Sequence, residues 1–140
     1  MIDQRELEQL RSEWSLESSV IEKDYVLGWL LAGIAQHEAL SRTWIFKGGT
    51  CLRKCYYETY RFSEDLDFTV TRGGPEDPTA LIQIFNSIVE WVRENSGLEL
   101  VIDESSFRVH QNRRGNPPSR AESVTEGLTL RRSCPRSRLT

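Results

Sequence analysis

The most constraining feature of this 140-residue chain is a pair of motifs near its centre. A short β-type run over residues 43–46 stops at two glycines, Gly48 and Gly49, and a helical stretch follows them. Further along, residues 65–70 alternate polar and apolar side chains, which is typical of a half-buried strand. The chain therefore combines a strand, a glycine turn and a helix with a second strand, and this combination predicts a sheet packed against helices.

The segment Gly48-Gly49-Thr50 is a candidate anion-binding loop. Two glycines permit backbone angles and close approaches that a side chain forbids. The N–H groups of the loop and of the following helix, together with the Thr50 hydroxyl, suit the β- and γ-phosphates of a nucleoside triphosphate. An ordinary connection between a strand and a helix explains the same residues, so the loop alone does not establish phosphate binding.

Asp65 and Asp67 form a more specific pattern. Alternate residues of a strand share a face, so we expect both carboxylates on one side, with Leu66 and Phe68 packed on the other. Neighbouring negative charges repel unless a cation lies between them, and Mg²⁺ accepts carboxylate ligands while leaving room for substrate phosphates. The alternative is that both residues are solvated on an exposed strand face. The glycine loop upstream favours the metal site.

The rest of the chain predicts helices that cover this sheet. Helical periodicity and strand alternation indicate five further elements: helices over residues 3–13, 17–40 and 78–95, and strands over residues 98–102 and 106–111. The order of helices and strands predicts an α+β (α/β-like) fold, in which a mixed sheet is covered by helices.

Composition limits the class of protein. Hydrophobic residues make up 38% of the chain and charged residues 28%, as in a single globular domain. No apolar run approaches the ~20 residues that span a bilayer, so we expect no contact with a membrane. The polar start does not resemble a secretory signal, and three cysteines, an odd number, argue against a disulfide framework. These features predict a cytoplasmic protein.

The central motif resembles a known family. The run Lys47-Gly48-Gly49-Thr50-x-Leu52-Arg53, with Arg61-Phe62-Ser63-Glu64-Asp65-Leu66-Asp67-Phe68, is similar to the AbiEii/AbiGii toxin family of nucleotidyltransferases. The segment Glu22-Lys23-Asp24-Tyr25-Val26-Leu27 resembles the first-helix segment of that family, so the resemblance covers about residues 15–112.

This resemblance implies a polymerase-β-like nucleotidyltransferase core. It also implies the toxin of a type IV toxin–antitoxin pair or an abortive-infection element. Such a toxin uses Mg²⁺ to transfer a nucleotide from a nucleoside triphosphate to an RNA acceptor such as tRNA. The implied partners are the triphosphate, the RNA and a cognate antitoxin protein.

The resemblance assigns two sets of site residues. The catalytic, Mg²⁺-binding carboxylates would be those of Asp65 and Asp67. The residues that hold the triphosphate would be Lys47, Gly48, Gly49, Thr50 and Arg53.

For four charged residues near the motif, the sequence allows either a role in the site or a structural role. Lys47 and Arg53 lie where a cation could face phosphate, but a solvated helix edge and a structural ion pair explain them equally well. Lys23 and Asp24 interrupt the apolar face of the predicted second helix. They reach the pocket or form a buried structural ion pair.

The chain departs from the family after its central motif. Family members carry a third carboxylate on a later strand, in a Lys-x-Asp context. Here residues 98–111 supply only Glu99 and Asp103, and neither lies in that context. The periodicity ends after Asn112, and the remaining residues contain seven arginines without a helical or strand pattern.

We interpret this change as a reading-frame shift near residues 116–119. Residues 1–112 would form a partial nucleotidyltransferase domain, and residues 113–140 would be a disordered, out-of-frame tail. The expected protein is an impaired fragment of a nucleotidyltransferase toxin. The alternatives are a non-catalytic remnant that binds nucleotide, RNA or antitoxin, and an RNA-binding module that uses the basic tail.

Overall fold

The computed structural model describes residues 4–57, 61–63, 65–75, 77–102 and 128–129. Its helices are α1 (Gln4–Trp14), α2 (Ser18–Gln36), α3 (Glu38–Thr43), α4 (Gly48–Cys51), which continues as a π-helix over Leu52–Tyr56, and α5 (Pro78–Ser96). Its strands are β1 (Trp44–Lys47), β2 (Asp67–Val70), β3 (Val101–Ile102) and β4 (Leu128–Thr129). The α+β class predicted from the sequence is confirmed.

The sheet that carries the central motif consists of β1 and β2. The two strands are antiparallel, with Trp44 opposite Val70 and Lys47 opposite Asp67. Strands β3 and β4 form a second antiparallel pair. Both predicted central strands are therefore present, but β2 begins at Asp67, so Asp65 precedes the strand instead of opening it.

The hydrophobic core lies between this sheet and the helices α2 and α5. Phe68 on β2 and Phe85 on α5 are 2% and 0% exposed. The ring of Trp44 lies 5.2 Å from that of Phe68 and 5.9 Å from that of Phe85, measured between centroids. Aromatic side chains bury large apolar areas and pack favourably at these distances. Trp44 therefore joins the sheet to α5.

Helix α5 has clear start and stop signals. The Asp77 side chain accepts a hydrogen bond of 2.9 Å from the backbone N–H of Ala80, and Pro78 occupies the first turn. Gly97 ends the helix with a φ of 72°. The helix predicted over residues 78–95 is thus confirmed to within one residue of its end.

The single helix predicted over residues 17–40 is wrong. The backbone at His37 is extended, with φ −77° and ψ 118°, so α2 ends at Gln36 and α3 follows. After this break the chain turns and Leu40 is completely buried. The break contains no glycine or proline, and Leu40 after it packs into the hydrophobic core.

Part of the sequence prediction falls on residues without a described structure. The strand predicted over residues 106–111 lies outside the described residues, as does most of the tail. Within residues 113–140, Leu128–Thr129 is described, and it pairs with β3. Among the described residues no helix is long and apolar enough to cross a membrane.

Candidate functional site

Gly48 is the residue at which the two sequence motifs meet. It follows β1 directly, and its φ of 81° lies in the left-handed region that residues with a Cβ adopt only at a cost. A Cβ built at this position would lie 2.2 Å from Oδ2 of Asp67. Glycine therefore leaves the space in which the Asp67 carboxylate packs against the backbone of the turn.

The Asp67 carboxylate also lies beside the first turn of α4, which begins at Gly48. The first N–H groups of a helix lack intrahelical partners, and the helix dipole favours negative charge at this end. The turn can therefore bind an anion, but phosphate bound there would be repelled by Asp67. A divalent cation would offset the repulsion between the phosphate and the Asp67 carboxylate. A nucleoside triphosphate that binds together with Mg²⁺ would supply such a cation.

The residues around the two carboxylates alternate in burial. Asp65 is exposed and Asp67 half-buried, whereas Leu66 and Phe68 between and after them are 1% and 2% exposed. The two apolar side chains are in the core; strand alternation directs Asp67 away from it, and Asp65, which precedes the strand, is exposed to solvent. The described residues contain no cluster of three or more potential metal ligands. Mg²⁺ is commonly held by one or two carboxylates plus substrate phosphates, so this pair fits the ion.

Thr50 is inside the protein instead of lining the surface of the turn. Its side chain is 1% exposed, and its Oγ1 donates a hydrogen bond of 2.6 Å to the backbone carbonyl of Asp65. A second carbonyl, that of Ser63, lies 3.5 Å away. A hydroxyl has one hydrogen to donate, and ionised phosphate only accepts. The part of Thr50 that remains suited to phosphate is its backbone N–H.

Lys47 lies directly opposite Asp67 across the β1–β2 pair. Side chains of directly opposed residues share a face of the sheet. The Lys47 side chain is half-buried, and among the described residues it has no ion-pair partner. Lys47 thus has the position and charge to contact phosphate at the glycine turn.

Arg53 lies in a different environment. Its guanidinium carbon is 3.4 Å from the ring centroid of Phe62 and 5.6 Å from that of Trp14. Its Nε is 3.8 Å from Oδ1 of Asp24, and its side chain is 13% exposed. The sequence allowed Arg53 either to face phosphate or to form a structural ion pair. In the structure Arg53 forms an ion pair, with Asp24.

Asp24 also binds a residue that the sequence analysis missed. Nζ of Lys54 lies 2.9 Å from Oδ2 of Asp24 and 3.2 Å from its backbone carbonyl. Asp24 therefore belongs to a partly buried charge network with Arg53 and Lys54, whereas its neighbour Lys23 is exposed. Thirty residues separate Asp24 from Lys54, and no local pattern in the sequence signals such a contact.

An open depression of about 370 Å³ lies on the surface of α2 next to this network. Its residues are Asp24, Tyr25, Gly28, Trp29, Ala32 and Lys54. Gly28 and Ala32, one turn apart, have little or no side chain and leave the surface open beside the Tyr25 and Trp29 rings, whose centroids lie 6.5 Å apart.

Cys51 and Cys55 lie near each other on the helix that follows the turn. Burial raises the pKa of the Cys51 thiol above its usual value, and the charge of Cys55 and a hydrogen bond with it raise the pKa further. Cys51 Sγ also donates to the carbonyl of Phe46 at 3.5 Å. A raised pKa disfavours the thiolate form of Cys51, which is the nucleophilic and metal-binding form of a cysteine.

Comparison with known proteins identified one family. The model of a family described as nucleotidyl transferase AbiEii toxin of type IV toxin–antitoxin systems matches residues 29–130. This range contains the glycine turn and both carboxylates, and it extends past residue 112, the predicted end of the domain. A search of curated proteins and a search of solved structures each found no match.

Proposed function

Because the chain belongs to the AbiEii family of nucleotidyl transferase toxins, we propose that the Gly48 turn and the Asp65–Asp67 segment bind a nucleoside triphosphate with Mg²⁺. The observation that carries this proposal is the contact between Gly48 and Asp67, which puts a carboxylate beside the N-terminus of α4. Family membership implies a nucleotide substrate and an antitoxin partner.

The chain's own residues have separate roles in this site. The backbone N–H groups of Gly48, Gly49 and Thr50 bind the triphosphate, and the Lys47 ammonium neutralises part of its charge. The carboxylates of Asp65 and Asp67 hold Mg²⁺. When bound, this ion screens the phosphate charge and assists departure of pyrophosphate. Arg53 is not among the proposed phosphate ligands, because Asp24 and two aromatic rings already surround it.

We propose an RNA hydroxyl as the acceptor, on a molecule such as tRNA. This part rests on the resemblance of the central motif to nucleotide-transferring toxins. Attack by a hydroxyl requires that its proton be removed, and a carboxylate held near the bound ion is a suitable base.

The first prediction tests the carboxylate directly. Asp67→Asn keeps the shape of the side chain and removes its charge, so we expect Mg²⁺-dependent triphosphate binding to be lost. Calorimetric titration of the full chain with each ribonucleoside triphosphate, with and without Mg²⁺, measures this. Asp77→Asn is the matched control, because asparagine caps a helix as well as aspartate does and binding should remain. Equal affinity in wild type and Asp67→Asn would contradict the proposed site.

We further propose that this chain is catalytically impaired. The full sequence contains no Lys-x-Asp segment to supply the third carboxylate of the family pattern. A ligand shell that does not orient the attacking hydroxyl loses much of the rate, since each ~1.4 kcal/mol of lost stabilisation lowers the rate about tenfold. The family match extends to residue 130 in the present frame, so the DNA sequence of codons 112–140 decides the reading-frame interpretation. A frameshift predicts a family-like strand pair in another frame, and the absence of one would contradict it.

A further inference from the structure

The helix that begins at the glycine turn also holds the segment that leads into the carboxylates. Thr50 and Arg53 lie three positions apart on this helix, so they share one of its sides. Both contact the chain between residues 61 and 65. The triphosphate turn and the metal carboxylates are therefore joined through two side chains of a single helix.

The contact made by Thr50 fixes the backbone of this segment. Its fully buried hydroxyl donates to the carbonyl of Asp65, which belongs to the residue that carries one of the proposed Mg²⁺ ligands. Asp65 itself precedes β2, outside the β1–β2 pairing that includes Asp67. The Thr50 hydrogen bond therefore ties the backbone of Asp65 to the helix that follows the glycine turn.

The contact made by Arg53 holds the same segment at Phe62, three residues before Asp65. Its guanidinium carbon lies over the Phe62 ring, 3.4 Å from the centroid, and Trp14 of α1 packs on the same cation, with the two ring centroids 5.5 Å apart. Asp24 of α2 supplies the opposite charge. A cation enclosed by two rings and a carboxylate is held in one orientation, and it holds Phe62 in turn.

We infer that Thr50 and Arg53 are positioning residues that set the affinity of the Asp65–Asp67 segment for Mg²⁺. This inference rests on the proposed function. Groups that orient metal ligands without touching the metal affect its affinity strongly, and their loss commonly weakens it about tenfold or more. Neither side chain needs to contact the triphosphate for this effect.

The experiment compares two variants with matched controls. Thr50→Val keeps the side-chain shape and removes the hydroxyl. Its control is Thr71→Val, which removes the hydrogen bond from Thr71 to the carbonyl of Thr43, just beyond the other end of β2. Arg53→Met removes the enclosed cation, whereas Arg42→Met removes one from an exposed ion pair. Two quantities are measured on the full chain: the Mg²⁺ concentration for half-maximal triphosphate binding, and hydrogen exchange of the amides of residues 61–67.

We expect Thr50→Val and Arg53→Met to raise the half-saturating Mg²⁺ concentration about tenfold. Exchange at residues 61–67 should also become faster in both variants. Thr71→Val and Arg42→Met should leave the metal requirement unchanged, and Thr50→Ser, which keeps the hydroxyl, should restore it. An unchanged metal requirement in folded Thr50→Val and Arg53→Met would overturn the inference. If Thr50→Val does not fold, Arg53→Met decides alone.

Failure of the proposed function gives a different result. It appears in the wild type as an absence of Mg²⁺-dependent triphosphate binding. Hydrogen exchange does not require a ligand, so it still tests the two contacts: faster exchange at residues 61–67 in the variants supports them. Exchange equal to that of wild type overturns the inference whether or not the triphosphate binds.

Discussion

At the scale of single residues, the candidate site depends on the absence of one Cβ. Gly48 adopts a positive φ and lies against the Asp67 carboxylate, so it meets both conditions that favour glycine. Gly73 also has a positive φ, of 91°, but a Cβ there would meet no atom within 4 Å. A substitution at Gly73 therefore measures the cost of the positive φ alone, whereas one at Gly48 adds the cost of a clash with Asp67.

Substitution of alanine at both positions provides the second prediction. Each variant should lose about 1–2 kcal/mol of stability from the left-handed backbone. Gly48→Ala should lose more, because its Cβ displaces Asp67, and it should also lose triphosphate binding. Chemical denaturation measures the free energy of unfolding, and calorimetry measures binding. Triphosphate affinity in Gly48→Ala equal to that in Gly73→Ala would show that the contact has no part in binding.

At the scale of elements, α2 contains two glycines with unlike surroundings. A Cβ at Gly33 would lie 2.7 Å from Cγ2 of Ile88, so this residue is a point of close approach between α2 and α5. A Cβ at Gly28 would meet only Nζ of Lys54, at an ordinary distance of 3.7 Å. Packing against α5 thus requires glycine at one position of the helix and not at the other.

Alanine at these two positions provides the third prediction. Gly28→Ala should stabilise the protein by about 0.5–1 kcal/mol, because alanine is the better helix former. Gly33→Ala gains the same propensity but overfills a packed interface, so it should be less stable than Gly28→Ala by about 1–3 kcal/mol. Thermal unfolding of the two variants measures the difference. Equal unfolding temperatures would show that α5 moves away without cost.

At the scale of the whole molecule, the number of strands beside the candidate site matters for activity. Strands β1 and β2 form a two-stranded sheet among the described residues, and they carry the glycine turn and Asp67. The resemblance to the family implies a third carboxylate on a further strand. The proposed site therefore contains the residues assigned to triphosphate and Mg²⁺ but not that carboxylate.

The fourth prediction compares this chain with a version in which the proposed reading frame is restored. The restored protein should transfer labelled nucleotide into total tRNA, whereas this chain should be inactive or strongly impaired, because it lacks the third carboxylate. Asp67→Asn in the restored protein is the control, and it should abolish transfer. Equal activity of the two chains would contradict both the frameshift and the role of the third carboxylate.

Much of this fold could be predicted from local patterns. The α5 helix follows from a regular apolar stripe between an Asp-Pro start and a glycine stop, and these signals act within one helical turn. The break at His37 could not be predicted in this way, because no glycine or proline stands between Gly33 and Gly48 to mark a helix end. Burial of Leu40 depends on the rest of the core, which the local sequence does not describe.

The sequence by itself determined the candidate chemistry. A glycine turn before a helix and two carboxylates on alternate residues follow from residue types and spacing, because strand and helix periodicities are local. Only the tertiary structure decided which side chains are available to a ligand. It buried the Thr50 hydroxyl against Asp65 and enclosed Arg53 between Trp14, Phe62 and Asp24. These partners are distant along the chain, and only packing of the helices against the sheet brings them together.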